Sequence, residues 1–267
     1  MTALRISAAA LAAATAVTAF PGGGTSPAAT ARAAASPPAL CHPYQLYRVV
    51  NYLDQYVTVR DDVFGHGRVC LAVRARDSSW FKITRTAAPR GQNIGAFPEI
   101  FYGCVYGKCT TGSVLPEQVT SAAGMVGTWR TFATRPHGLW NKAFDLWFSL
   151  HRRVGGQAAG AELMVWLDTT FHRPPPDRPV VRVAGRRYWF SWHRACNRGR
   201  HLCWNFLIFR RVHRVSGVVR LPLSRFIAIA ERKHLIRPSW WLESVEAGFE
   251  LWWGGVGLGT IKFGVIP

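Results

Sequence analysis

Between Cys41 and Leu221 the chain runs through nine short apolar or alternating stretches: YRVVNYL, YVTVR, VCLAV, WFKIT, EIFYGCVY, FDLWFSL, ELMVWL, VVRVAGRRYWFSW and NFLIFRRV. Gly, Pro, Asn and Asp punctuate them. Segments of this length, rich in Val, Ile and aromatic residues and spaced by turn formers, suit strands and not helices. Their regular succession predicts an all-β, two-sheet antiparallel sandwich or jelly roll. One helix interrupts it. LSRFIAIAERKHLI places Leu223, Phe226, Ile227 and Ala230 on one face. Ser224 is positioned to cap its start, Arg232, Lys233 and His234 suit its C-terminal dipole, and Pro238 lies beyond its end. With 267 residues and 49 % apolar content, the chain can bury a sizeable core in one domain.

Residues 1–40 stand apart. Arg5 precedes a run of small apolar residues, and a Pro-, Ala-, Gly- and Ser-rich stretch follows. This reads as a secretory signal peptide and spacer, with cleavage near Ala19 or near Ala33 to Ala35. The apolar run is short and Ala-rich, which argues against a membrane anchor. No membrane attachment is expected after cleavage. Export agrees with the even cysteine count: Cys41, Cys70, Cys104, Cys109, Cys196 and Cys203. Spacing alone leaves 15 connectivities open. Cys104/Cys109 and Cys196/Cys203 are near enough for local bridges, and Cys41 and Cys70 would then pair by elimination. A zinc site in HRACNRGRHLC, with His193, Cys196, His201 and Cys203, is the weaker alternative, because the ligand spacing is not a standard one.

The charge is +19, carried by 33 basic residues of which only 5 are Lys. Such a balance suits an acidic partner. No nucleic-acid motif accompanies it, and an exported protein has little access to DNA or RNA, so no nucleic-acid partner is expected. The chain also lacks G-x-S-x-G, H-E-x-x-H and a P-loop.

Strand parity finds the chemistry. Alternate residues of a strand face opposite sides. In ELMVWL, Glu162, Met164 and Trp166 share a face, while Leu163, Val165 and Leu167 go to the core. In AFDLWFSL, Asp145 and Trp147 oppose Phe144, Leu146 and Phe148. In AGFELWWGG, Glu250 and Trp252 oppose Phe249, Leu251 and Trp253. Each segment thus pairs a carboxylate with a nearby Trp on the face away from the core. Gathered in one sheet, they would form a groove with acids at its centre and indoles along it. Paired carboxylates and flat apolar rings are what cleavage of a glycosidic bond needs. The plainer alternative is three amphipathic strands with solvated acids.

These residues resemble glycoside hydrolase family 12, the small jelly-roll endoglucanases with a concanavalin-like sandwich. ELMVWL resembles the family's nucleophile strand and GFELWWGG its acid/base strand. NKAFDLWF, with Asn141 and Asp145, resembles the strand of the supporting acid, and YGCVYGKC resembles a disulfide loop. The likeness runs from about Cys41 to the C-terminus, giving a catalytic domain over 41–267. It implies Glu162 as nucleophile, Glu250 as general acid/base and Asp145 as the support of Glu162. It further implies retaining hydrolysis of β-1,4-glucan by a monomer, with no metal or cofactor. The family's bridges support Cys41–Cys70 and Cys104–Cys109. Asn141, Trp147, Met164, Trp166 and Trp252 fall at substrate-facing positions.

Two flanks depart from the pattern. Where the family has N-N-x-W-G, this chain has DDVFG, so Asp61 and Asp62 replace amides and Phe64 replaces a sugar-stacking Trp. Where the family has a P-I-G turn, HRPPPDRPVV stands. The catalytic centre is kept and both flanks are altered, so the alternatives that remain are a xyloglucan or mixed-linkage glucan hydrolase and a non-catalytic glucan-binding protein. A polyanion-binding role rests on the charge alone. Three acids kept together speak against a mere binder.

Overall fold

Parity places the core where the sequence puts its branched and aromatic residues. The computed structural model describes residues 39–64, 67–75, 78–87, 93–152, 155–172 and 177–267. The expected signal segment lies outside them. Its strands, in chain order, are β1 (Ala39–Leu40), β2 (Leu46–Val50), β3 (Tyr56–Arg60), β4 (Val69–Val73), β5 (Phe81–Thr86), β6 (Glu99–Val105), β7 (Lys108–Cys109), β8 (Glu117–Gln118), β9 (Val126–Ala133), β10 (Gly138–Ser149), β11 (Ala161–Thr169), β12 (Val180–Val183), β13 (Arg186–Asn197), β14 (Leu202–Arg211), β15 (Val218–Pro222), β16 (Trp241–Gly248), β17 (Leu251–Gly254) and β18 (Leu258–Ile266). The α-helix α1 (Leu223–Arg232) lies between β15 and β16.

The strands form two sheets, as the alternation predicts. The smaller has the order β1-β4-β5-β18-β9-β15, and the larger β12-β13-β14-β11-β10-β16-β6-β3-β2. Among the described residues pairing is antiparallel with one exception: β11 and β14 run parallel. β12, β13 and β14 form two successive antiparallel pairs outside β11, so β14 inherits the direction of β12. Phe144, Leu146 and Phe148 of β10 and Leu163, Val165 and Leu167 of β11 point between the sheets and are buried. They meet Trp129, Phe249 and Phe263; Trp129 packs edge-on against Phe144 at 5.6 Å. Each such ring or branched chain contributes about 1.5–3 kcal/mol by leaving water. The one polar atom of the Trp129 side chain is satisfied, its Nε1 donating to Thr260 Oγ1 at 3.0 Å.

Helix α1 presents Leu223, Phe226, Ile227 and Ala230 inward, and Phe226 packs on Tyr188 and Phe209. Its start differs from expectation. Pro222 occupies the cap and Ser224 sits in the first turn, where its N–H donates to Met125 O. Proline already stops the strand and holds φ near the helical value, so no side-chain cap forms. Trp253 also departs from the pattern. It is only partly buried and faces His137, whereas Leu251 of the same strand joins the core; β17 pairs with the far end of β10 and not with β16.

All three bridges are present: Cys41–Cys70, Cys104–Cys109 and Cys196–Cys203. The last joins the β13–β14 hairpin and takes both thiols that a zinc site in this stretch would need.

Candidate active site

The larger sheet turns its other face to a cleft whose lining includes Asp145, Trp147, Glu162, Met164 and Glu250. Register explains the convergence. Trp147 lies opposite Glu162 and Asp145 opposite Met164, so Asp145 and Glu162 are diagonal neighbours on one face. On the other side of β10, Asp145 lies opposite Glu246.

Glu250 arrives differently. β16 ends at Gly248, and the chain steps across to β17 at Leu251. Asn141 holds that step. Its N–H donates to Glu250 O at 3.1 Å, its Oδ1 accepts from Glu250 N at 3.3 Å, and its Nδ2 donates to Glu250 Oε2. The amide orientation is therefore dictated by the backbone, and the other Glu250 oxygen is left to carry a proton. Two glycines permit the approach of β17 to β10. Gly138 and Gly254 are register partners with φ of +115° and +74°, and a Cβ on either would run into the facing backbone.

The acids sit in surroundings that resist their charge. Burial pushes Glu162 up to about 8; the Trp204 Nε1–H, donating to Glu162 Oε2 at 2.7 Å, pulls the other way, while Glu250 and Glu246 add to the rise. Burial pushes Glu250 up to about 7 against the Asn141 bond. Asp145 is held well above the usual carboxylate range by burial and by Glu162, Glu246 and Glu250. Its Oδ2 accepts from Trp147 Nε1 at 3.1 Å, and its buried Oδ1 has no hydrogen-bond partner. Carboxyls grouped in this way cannot all ionise, so protons are shared among them near neutrality.

Aromatic residues wall the cleft. Trp147 and Trp204 stand 5.7 Å apart beside Glu162. Further along β11, Trp166 does not line the acid-containing cleft. It forms a cluster with Phe171 and Trp252, and its Nε1 approaches Met164 Sδ at 3.4 Å. Phe64 lines the opposite flank, 39 % exposed. Asp61 is a correction. Successive residues turn opposite ways, so Asp62 lines the cleft while the Asp61 carboxylate turns away, Oδ1 accepting from Gln45 N at 3.0 Å. The HRPPPDRPVV flank falls partly outside the described residues.

The sequence reading missed a second charged group next to the acids. Arg60 donates from Nε to Glu99 Oε1 at 2.6 Å, pairs with Asp62 at 3.0 Å and lies 4.0 Å from Glu246. Glu246 accepts from Ser244 Oγ at 2.7 Å. Burial opposes the charge on Arg60, but Glu99, Asp62 and Glu246 outweigh it and keep the guanidinium protonated. Gly248 makes room: a Cβ there would meet Glu99 Cβ at 2.8 Å and Pro98 O at 2.7 Å. Glu246 was open to the same parity argument as Glu250, being even-numbered on the same run, and Trp204 alternates with core Leu207 and Phe209. Arg60 and Glu99 carry no local sequence signal, since only long-range pairing of β3 with β6 joins them.

No protein-family model and no curated protein matches the sequence. Solved structures do. The endoglucanase Cel12A from Rhodothermus marinus shares 33 % identity at a TM-score of 0.75, covering 85 % of this chain and 97 % of that one. A metagenome-derived glycoside hydrolase family 12 endoglucanase shares 32 % at 0.76, covering 86 % and 96 %. A family 12 xyloglucanase from Bacillus licheniformis, at 18 % identity and 0.72 over 86 % and 99 %, has the same fold. A third of the residues are thus held in common along nearly the full length of two such enzymes, in a sandwich whose cleft gathers Glu162, Glu250 and Asp145, and on that ground this chain belongs to glycoside hydrolase family 12.

Proposed function

We propose that the protein is a retaining endo-β-1,4-glucanase, with Glu162 as nucleophile and Glu250 as general acid/base. The observation that carries this is the meeting of two enclosed carboxyls, one on β11 and one on the β16–β17 connection, in one aromatic-walled cleft. Glu162 attacks the anomeric carbon while Glu250 protonates the departing oxygen; water then displaces the glycosyl-enzyme with Glu250 as base. Trp204 favours the ionised form that attack requires. Asp145, kept neutral, can donate from its unpartnered Oδ1 to the nucleophile. Asn141 aims the Glu250 carboxyl. Trp147 and Met164 give the sugar an apolar floor, and Phe64 offers a stacking ring smaller than indole at the altered flank. The two relatives that share about a third of their residues with this chain are endoglucanases, which supports a β-glucan substrate. Among the described residues no helix is long and apolar enough to cross a membrane. Together with the three disulfides, the signal-like segment over 1–40 supports export, and the enzyme is read as a monomer.

The assay is reducing-sugar release from a soluble β-1,4-glucan across pH. Rapid loss of viscosity is expected alongside, as internal cleavage requires. Attack needs Glu162 ionised and leaving-group assistance needs Glu250 protonated, so kcat/KM should be bell-shaped. Both groups are raised above the ordinary carboxylate value, and the pair titrates together. Activity should therefore peak between about 7 and 8. It should fall in acid as Glu162 takes a proton and in base as Glu250 loses one. A plateau that persists unchanged down to pH 4 would contradict the environment assigned to Glu162.

A further inference from the structure

The cleft leaves most of the +19 charge without a role. Part of that charge is concentrated elsewhere. At the β12 edge of the larger sheet, two adjoining hollows share Val183 and Ala184. Arg186, Arg211 and Arg220 line one; Arg182, Arg225 and Arg232 line the other. No carboxylate lines either, and among the described residues none of the six joins a salt bridge.

The arrangement follows from the fold. Arg211 is the register partner of Tyr188, whose ring packs on α1, so Arg211 points to the helix side of the sheet; Arg210, next to it, partners Trp189. Arg186 lies two residues before Tyr188 and shares its face. Arg225 and Arg232 are seven residues apart, two turns along one side of α1. Arg220 comes from β15, at the end of the smaller sheet. β13, β14, β15 and α1 thus bring five of these arginines together, with Arg182 of β12 beside them, on a surface that shares no residue with the cleft lining.

We propose that this surface binds an acidic polysaccharide, holding the enzyme to a charged matrix while the cleft stays open. Guanidinium forks match carboxylates in a bidentate manner, and repeated carboxylates along a polyuronate offer one partner after another. Single-stranded nucleic acid fits less well. It relies on exposed aromatic rings for stacking, and among the described residues the only aromatic ring lining either hollow is that of Tyr188, which is buried. The site goes beyond the glucanase reading and does not depend on it.

The test measures binding of the full chain to polygalacturonate at low and moderate ionic strength. The triple variant Arg220→Gln/Arg225→Gln/Arg232→Gln is compared with Arg48→Gln/Arg68→Gln/Arg85→Gln. The control removes the same charge from exposed positions on or beside β2, β4 and β5, far along the sheets from β12 and β15. The first triple should weaken binding about tenfold or more and flatten its salt dependence, while the control changes it by about twofold or less. Thermal melting should show both variants folded; all six positions are exposed, so a collapsed fold would itself contradict the surface as described. Equal losses in the two triples would show that only net charge matters and overturn the site. Tighter binding of single-stranded DNA than of polygalacturonate would overturn the carboxylate assignment.

Discussion

Replacing Glu162 with Gln is expected to remove turnover on every substrate, by about 10⁵-fold, the scale seen when a covalent nucleophile is deleted from a preorganised site. That is about 7 kcal/mol of barrier. Gln cannot form the glycosyl-enzyme, so the loss should not depend on the leaving group. The same substitution should stabilise the fold. The folded-state pKa of Glu162 lies above its unfolded value, so the neutral form is favoured by folding. The stability this contributes is complete below about 4.5 and is lost as pH rises through about 8. Gln does not ionise and escapes the loss. Discounted for the opening of Glu162 to the cleft, the gain is about 2 kcal/mol at pH 8, or about 5 °C in Tm. An inactive variant that melts higher at pH 8 and no higher at pH 4 separates lost chemistry from lost structure. A variant that melts lower at both would show that Glu162 is structural.

The second large effect belongs to Glu250. Glu250→Gln should lower activity on unactivated β-glucan by about 10²–10⁴-fold, the usual contribution of a general acid. Aryl glycosides with acidic phenols need no protonation, so their glycosyl-enzyme should still form at a substantial rate and then accumulate, because the base for the second step is missing. The alkaline limb of the pH profile should disappear with the residue. Equal losses on good and poor leaving groups would show that Glu250 does not transfer the proton. Glu250→Asp is the informative companion. It keeps the acid but withdraws it from Asn141, and should fall between wild type and Gln on poor leaving groups.

The placement of these acids in one cleft was readable in the chain wherever they lay on a regular strand. ELMVWL and AFDLWFSL alternate cleanly, and burial of Leu163, Val165, Phe144 and Phe148 follows the alternation residue by residue. Reading failed where the strand pattern broke. Past Gly248 the backbone leaves β16, so counting by twos from Phe249 sent Trp253 to a core it does not join. Asp61 failed for a related reason: two adjacent acids cannot face the same way, and nothing local says which one turns inward. The Arg60–Glu99–Glu246 group was hidden because β3, β6 and β16 are far apart in sequence and meet only in the sheet. Cysteine pairing fared better. Two bridges join close neighbours, and elimination supplied the third.

Stereochemistry tests the central claim most directly. Proton NMR of a cello-oligosaccharide mixed with enzyme, recorded in the first minutes before mutarotation, reports which anomer is released. Double displacement through Glu162 inverts the centre twice, so the β-anomer should appear first and the α-anomer only later, by mutarotation. First release of the α-anomer would mean a single displacement by water, and Glu162 could not be the nucleophile.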